Sequence, residues 1–377
     1  MPSIFLTPAG KGRRIVFWTL GCFLLVQLVL TVYLAGWMRE LRDPLYGFRL
    51  RSLRARLAES PHAPLFLILG SSRIKHSICP SDLEVEAAGD APKPIVYNFG
   101  INGMGFIRSL IYFRRLLADG IHPDILLLET WPPLWGQSGF CQESRLVMGF
   151  DDLSLRDLPL ACRYFFQERD VLRFALRRAF LPISCYRSRF LKAAVRSLLP
   201  REQAEEMDKQ VSDAWPADHD GWFLMPWEPA TPEAKAHALQ QGVIDIKPLL
   251  SSLRLDPRSD AALRELLAEC RQRGIRVAMI LMPEHSLTRG WYSAQARELV
   301  QDYLSRIQRE EQVPIVDSRD WVSDDEFADS CHMSQKGVPA FCRRLGREVV
   351  QPLLEGKPLP NRVLFGGPAA ERGSEGY

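Results

Sequence analysis

Leu65-Phe66-Leu67-Ile68-Leu69-Gly70-Ser71-Ser72-Arg73 is an apolar run of five residues that stops at a glycine and two serines. Such a run bounded by Gly reads as a strand buried on both faces, and in a parallel sheet the residues that follow it reach the rim where ligands bind. Ser71 and Ser72 are therefore expected at that rim. Two roles are open to serines there: a nucleophile, or the N-cap of the next helix, accepting its first free N–H groups.

Far along the chain lies Asp317-Ser318-Arg319-Asp320-Trp321, followed by Asp329-Ser330-Cys331-His332-Met333-Ser334-Gln335-Lys336-Gly337. An Asp three residues before a His can set its carboxylate beside the ring. There it fixes the tautomer and supports the imidazolium formed when the His takes a proton from a Ser. With Gly70-Ser71-Ser72 as a first block and Asp329-x-x-His332-x-Ser334-x-x-Gly337 as a last, the sequence resembles the SGNH (GDSL-like) hydrolase superfamily. The resemblance points to its membrane-anchored branch of DltD-like and alginate O-acetyltransferase-like proteins.

The chain has 377 residues, 46% hydrophobic and 25% charged, enough for a large core, and reads as one domain with a sizeable insertion. A formal net charge of +3 gives no basis for nucleic-acid binding, and there is no zinc-finger spacing, phosphate loop or dinucleotide fingerprint. Eight cysteines form no Cys-x-x-Cys pair, so no metal framework is supported and isolated buried thiols are expected.

After a tail of residues 1–14, residues 15–37 read IVFWTLGCFLLVQLVLTVYLAGW, without a charge and long enough to cross a bilayer as a helix, with Trp18, Tyr33 and Trp37 near its ends. Basic residues flank it on both sides: Lys11, Arg13 and Arg14 before, and six arginines from Arg39 to Arg56 after. Their count does not favour an inside N-terminus, and the charge rule weakens for large exported domains. Residues 38–62 are expected to form a juxtamembrane stalk. Within it, Arg39 to Leu57 mixes Arg with Leu, Phe and Tyr, and fits either a solvated segment or an amphipathic helix on anionic headgroups.

Residues 63–354 carry the alternation expected of the main domain. After the first strand come a short helix (Pro80 to Glu86), a strand (Pro94 to Phe99), the loop Gly100-Ile101-Asn102-Gly103-Met104-Gly105, and an amphipathic helix (Phe106 to Leu117). Three glycines at a strand end let the backbone turn tightly and present N–H groups, as an oxyanion requires. Asp124 to Glu129 is a third strand. Residues 131–253 break the alternation and read as a mostly helical insertion (Leu155 to Leu181, Arg187 to Leu199, Arg201 to Ala214, Pro232 to Gln241) lying over the rim. Trp131, Trp135, Trp215, Trp222 and Trp227 could there stack on sugars or pack a core. The arginines of its helices (Arg163, Arg169, Arg173, Arg177, Arg178, Arg187, Arg189) suit solvated faces or an anionic polymer or lipid. Gly136-Gln137-Ser138-Gly139-Phe140 lacks the last glycine of a nucleophile elbow. Alternation resumes with a helix (Asp260 to Arg273), a strand (Ile275 to Met282) leading to Pro283-Glu284-His285-Ser286, a helix (Tyr292 to Gln308), a strand (Val313 to Asp317) and a closing helix (Val338 to Leu354). Residues 355–377 are expected to be a flexible tail.

The predicted fold is an α/β flavodoxin-like doubly wound parallel sheet, with the long insertion and one N-terminal transmembrane helix. The resemblance covers residues 63–117, 124–130 and 258–354, and implies the SGNH hydrolase fold. It implies Ser72 as nucleophile, His332 as general base and Asp329 as its orienting carboxylate, with the N–H groups of Ser72 and Gly103 holding the oxyanion. Ser71, Arg73, Asn102, Glu129 and His285 are candidate substrate contacts. No metal or cofactor is required. The sequence departs from the family at the third strand, where Glu129-Thr130-Trp131 stands in place of the block whose Asn would add an oxyanion donor. Two functions follow as expectations: an extracytoplasmic serine esterase or O-acyltransferase for a glycan or other envelope polymer, served by a membrane acyl-export partner and held on lipid by its anchor; or a non-catalytic domain binding a polymer or assembly partner.

Overall fold

The computed structural model describes residues 8–36, 43–87, 92–136, 153–164, 173, 176–177, 182–200, 202–203, 218–225 and 228–359. Trp37, Arg39, Arg42, Cys141, Arg169, Arg178, Trp215, Trp227, most of the elbow-like stretch, most of the Arg201 to Ala214 helix and the tail beyond Leu359 lie outside these residues. The chain divides into two compact units, Met1–Phe48 with Met148–Val211, and Arg49–Val147 with Ser212–Tyr377.

In the first unit, α1 (Pro8–Gly36) contains one stretch, Gly12–Tyr33, long and apolar enough to cross a membrane. Its apolar side chains are exposed almost throughout, whereas Gln27 is buried. The segment expected as a stalk instead contains α2 (Pro44–Glu59), which from Arg49 onward belongs to the second unit. Its Leu50 and Leu53 are buried, and Arg49 donates from Nη1 to the backbone oxygens of Asn98 (2.7 Å) and Gly221 (3.0 Å). The mixture of Arg with Leu and Tyr is thus the pattern of a docked helix with one apolar face.

The second unit is built on five strands, β1 (Leu65–Leu69), β2 (Ile95–Asn98), β3 (Ile125–Glu129), β4 (Arg276–Leu281) and β5 (Ile315–Asp317), all parallel and in the order β2-β1-β3-β4-β5. This is the order expected from the alternation. Continuous apolar runs form these strands because both faces are covered. Phe66, Ile68, Ile125, Leu127, Ala278, Ile280 and Val316 share a core with Phe341, Leu345, Val349 and Leu353 of the closing helical segment. On the opposite face Leu67, Leu69, Leu126, Leu128 and Met279 are fully buried, and α3 (Phe106–Ala118) packs on α4 (Pro257–Gln272), which also contacts β4.

The closing helix expected as one element is an α-helix (Val338–Leu345), one π turn (Gly346–Val350) and a last α turn (Gln351–Leu354). A Cβ at Gly346 would run into the backbone oxygen of Leu83, so only glycine lets the helix pass this close. The short element at Pro80–Leu83 is a 3₁₀ turn. None of the described residues 131–253 adds a strand to the sheet. Their helices include Leu158–Tyr164, α5 (Pro182–Leu198) and α6 (Pro232–Asp245). Trp131 and Trp135 are core residues and Trp222 packs against the core.

With β1 flanked by β2 on one side and β3 on the other, successive connections leave β1 in opposite directions. In parallel sheets the crevice at the carboxyl ends of such strands is where ligands bind. Ser71, Ser72 and Glu129 sit at that point.

Candidate active site

Beyond Gly70 the chain turns straight into a six-residue helix, Ser72–Ser77. Ser71 is its N-cap, its Oγ accepting the Arg73 N–H at 3.2 Å. Of the two roles open to the serine pair, the cap falls to Ser71, which is buried, while Ser72 is half-exposed at the first helical position. There its N–H has no partner within the helix.

Ser72 Oγ lies 2.8 Å from His332 Nε2, and His332 Nδ1 lies 2.8 Å from Asp329 Oδ2. The other carboxylate oxygen accepts the N–H groups of Cys331 (2.8 Å) and His332 (2.7 Å), a local turn that lets an Asp and a His three apart meet side chain to side chain. The loop is pinned at its base, where Ala328 N–H donates to His332 O (2.9 Å) and Ser334 N–H to Glu326 O (2.8 Å). Because a carboxylate only accepts, the proton belongs on Nδ1, which leaves Nε2 to accept from Ser72. Burial disfavours the imidazolium, yet Asp329 more than offsets it and His332 is raised well above the usual histidine range. The same pairing, with the two backbone N–H groups, outweighs the burial of Asp329 and holds its carboxyl far below the ordinary carboxylate value.

Asp329, Cys331 and His332 place three possible metal donors within 4.8 Å of one another. Their chemistry argues for a hydrogen-bonded dyad. Both Asp329 oxygens and both His332 nitrogens already have partners, and burial pushes the Cys331 thiol up, away from the thiolate a metal needs.

The loop after β2 lies against the start of the Ser72–Ser77 helix. Ile101 N–H donates to Gly70 O at 2.8 Å, and a Cβ on Gly100 would come within 2.5 Å of the Lys75 nitrogen. Next comes a turn closed by Met104 N–H to Ile101 O (3.1 Å), with Gly103 at φ +65°. Arg108, a buried residue of α3, donates from Nη1 to Asn102 O at 2.7 Å. Asn102 O and the Gly103 N–H are opposite ends of one trans peptide, so Arg108 turns that N–H the other way, and Gly103 itself is half-exposed. Nothing in the sequence marked Arg108, since it acts on a backbone carbonyl.

Glu129 does not reach the surface. Only 5% exposed, it stands beneath the serine pair with Oε2 accepting the Ser71 N–H at 2.5 Å. Gly70 makes this possible, because a Cβ there would come within 2.7 Å of the Glu129 Cβ. Arg73, 1% exposed, also turns inward. Nη2 donates to the backbone oxygens of Met282 (2.8 Å) and Pro283 (2.7 Å), while Nη1 stands 3.8 Å from Glu129 and 3.9 Å from Glu284, and its guanidinium lies over the ring of Trp131. Burial pushes the Glu129 carboxyl up, and Arg73 and Ser71 only partly counter this. Glu129 and Arg73, nominated as substrate contacts, are thus internal supports that tie the ends of β1, β3 and β4 together.

His285 accepts the Leu287 N–H and faces Asp324 at 3.7 Å, a carboxylate 39 positions on in the chain that no local spacing signals. It makes no hydrogen bond to the Ser72, His332 and Asp329 chain. His76, also unmarked in the sequence, has its ring 6.5 Å from that of His332. Burial, aided by Lys75, lowers its pKa to about 3, so it stays neutral beside His332.

Residues 49–346 match the family model described as a protein of unknown function, DUF1574. The chain belongs to the DUF1574 family. The matched stretch holds all of Ser72, Gly103, Arg108, Asp329 and His332, so the site lies inside the DUF1574 region and the membrane-length helix lies before it. No curated protein matches this DUF1574 chain.

Proposed function

We propose that this DUF1574 protein is a membrane-anchored serine acyl-ester hydrolase or O-acyltransferase of the SGNH type, acting on a glycan or other envelope polymer outside the cytoplasm. The observation that carries the proposal is the unbroken hydrogen-bond chain from Ser72 through His332 to Asp329. A hydroxyl, an imidazole and a carboxylate in this relation are the apparatus for nucleophilic acyl transfer. Ser72 Oγ attacks the acyl carbonyl as Nε2 of His332 takes its proton, and Asp329 stabilises the imidazolium. The N–H groups of Ser72 and Gly103 receive the negative oxygen. Collapse of the tetrahedral adduct breaks the ester bond, His332 returns the proton to the departing alcohol, and the acyl group on Ser72 passes to water or to a sugar hydroxyl. The site as drawn needs no metal.

The alternative of a non-catalytic binding domain draws on one observation: Glu129-Thr130-Trp131 stands where the family's third block would supply an Asn, and the Glu129 carboxylate is engaged in accepting from Ser71. A missing donor lowers the rate by about 10²–10³ without abolishing it. One experiment separates the two. A fluorophosphonate probe applied to the purified full chain should label Ser72, with labelling lost in Ser72→Ala and in His332→Ala to similar degrees, because neither residue works alone. Folded wild-type protein that takes up no label would favour the binding domain. Orientation is tested by reporter fusions after Leu57 and Leu354, both active only in the exported state.

A further inference from the structure

α5 belongs to the same compact unit as α1 and packs against it. Its sequence, PISCYRSRFLKAAVRSL, holds four cations, Arg187, Arg189, Lys192 and Arg196, and no Asp or Glu. Leu191, Val195 and Leu198 are 66%, 40% and 85% exposed. At about 100° per residue these three fall within an arc of roughly 60°, with Lys192, Arg196 and Arg189 turned about 100–160° from Leu191 and Arg187, a turn nearer the N-terminus, about 40° to the other side of it. Tyr186, buried, lies about 220° round from Leu191 by the same count, so the exposed apolar stripe is a second face, separate from the one turned into the protein.

A helix that shows Leu and Val to solvent on one side, carries cations on the flank next to it and has no acidic residue has the pattern of one lying in a membrane interface. The neighbour argues for the same surroundings. Along Ile15–Tyr33, α1 exposes one large apolar side chain after another, as a helix surrounded by bilayer hydrocarbon does. We propose that α5 is an interfacial helix: Leu191, Val195 and Leu198 bed into the acyl region of the bilayer that α1 crosses, and Arg189, Lys192 and Arg196 lie on anionic phospholipid headgroups. The inference rests on α1 spanning the bilayer and is independent of the chemistry at Ser72.

The test places a benzophenone-bearing phenylalanine at position 191, 198 or, for comparison, 192 of the full chain. The protein is reconstituted in liposomes of zwitterionic phospholipid with and without an anionic phospholipid. On irradiation, positions 191 and 198 should form phospholipid adducts several-fold more than position 192. The yield should fall when the anionic lipid is omitted or when Lys192→Gln and Arg196→Gln are combined. Adducts at 191 and 198 no more frequent than at 192 overturn the proposal. So do crosslinks that go mainly to another protein when the same variants are irradiated in native membranes. An alkaline carbonate wash checks the anchor separately: if it strips the full chain from membranes, α1 does not span and the proposal falls with it, whereas retention without lipid adducts refutes the role of α5 alone.

Discussion

Replacing Arg108 by Met should slow ester turnover by about 100-fold while leaving the protein folded. Arg108 Nη1 holds Asn102 O at 2.7 Å and thereby sets the direction of the Gly103 N–H on the same peptide. The methionine fills most of the volume of the arginine stem but cannot hold that carbonyl. The turn itself survives through Met104 N–H to Ile101 O, so its central peptide becomes free to rotate. Complete loss of an oxyanion donor costs about 10²–10³ in rate, and a peptide that points correctly part of the time belongs at the lower end, close to 2.7 kcal/mol of barrier. Losing that charge-assisted bond costs about 1.5–3 kcal/mol of stability, and the long contact from Nη2 to the Tyr112 hydroxyl (3.5 Å) goes with it, partly offset by removing a buried guanidinium whose Nε has no hydrogen-bond partner. A fall of a few degrees in Tm is expected. The assay compares kcat and KM for an activated acetyl ester with those for its thionoester, whose developing sulfur anion gains little from an oxyanion hole. The oxygen ester should lose about 100-fold in kcat at unchanged KM, the thionoester much less, and Arg108→Lys should recover part of the loss. Equal losses on both substrates would show that Arg108 merely supports the fold, and no loss on either would refute the assignment of the Gly103 N–H.

Asp329→Asn should lower kcat by up to about 10⁴-fold and move the rising limb of the kcat–pH profile to lower pH, since the carboxylate is what raises His332, and the base works only when neutral. The same substitution tests stability. A carboxyl depressed in the folded state contributes above its unfolded pKa of about 4 and loses that contribution as the pH falls further, so acidification below about pH 4 should lower Tm more in the wild type than in Asp329→Asn. Ser71→Ala removes a helix cap at a cost of about 1 kcal/mol in thermal melts, yet should leave fluorophosphonate labelling at Ser72 in place. Gly242→Ala, on α6, would drive a Cβ into the Ser330 side chain and displace the loop that carries Asp329 and His332; labelling at Ser72 should slow even if the bulk fold melts normally.

What the sequence revealed and what it hid divide along the range of the interactions. Leu65 to Leu69 could be recognised as a buried strand because the apolar run is continuous, and the Asp329 and His332 pair because its hydrogen bonds close within four residues. Ser71 and Ser72 could be placed at the rim, but which one caps and which one faces outward depends on where the helix begins. Arg108, His76 and Asp324 were hidden because each acts on a partner set by the fold: a carbonyl fixed by a turn, a ring contributed 256 positions away, and a histidine on another loop. Glu129 ends β3 and Arg73 lies in the first turn of the helix after β1, yet both turn inward where substrate contacts are expected. The reason is that a charged residue at a rim is normally exposed, whereas the space left by Gly70 admits Glu129, and the Met282 and Pro283 carbonyls, far along the chain, draw Arg73 inward. The stalk was misread for the same cause, since the acceptors of Arg49 lie 49 and 172 positions away.

Those acceptors carry a practical consequence. β2 is an outer strand of the sheet, and its end at Asn98 gives its N–H to Asp220 O and its carbonyl to Arg49, while Arg56 holds Asp220 at 2.7 Å. An uncovered outer strand is a template on which further chains can add by strand pairing. Trimming the chain for soluble expression just after Glu59 removes Arg49 and Arg56 along with the apolar helix α1, and so uncovers a sticky margin and invites aggregation. Beginning at Asp43 keeps the cover in place, and the two truncations should differ in solubility well before they differ in catalysis.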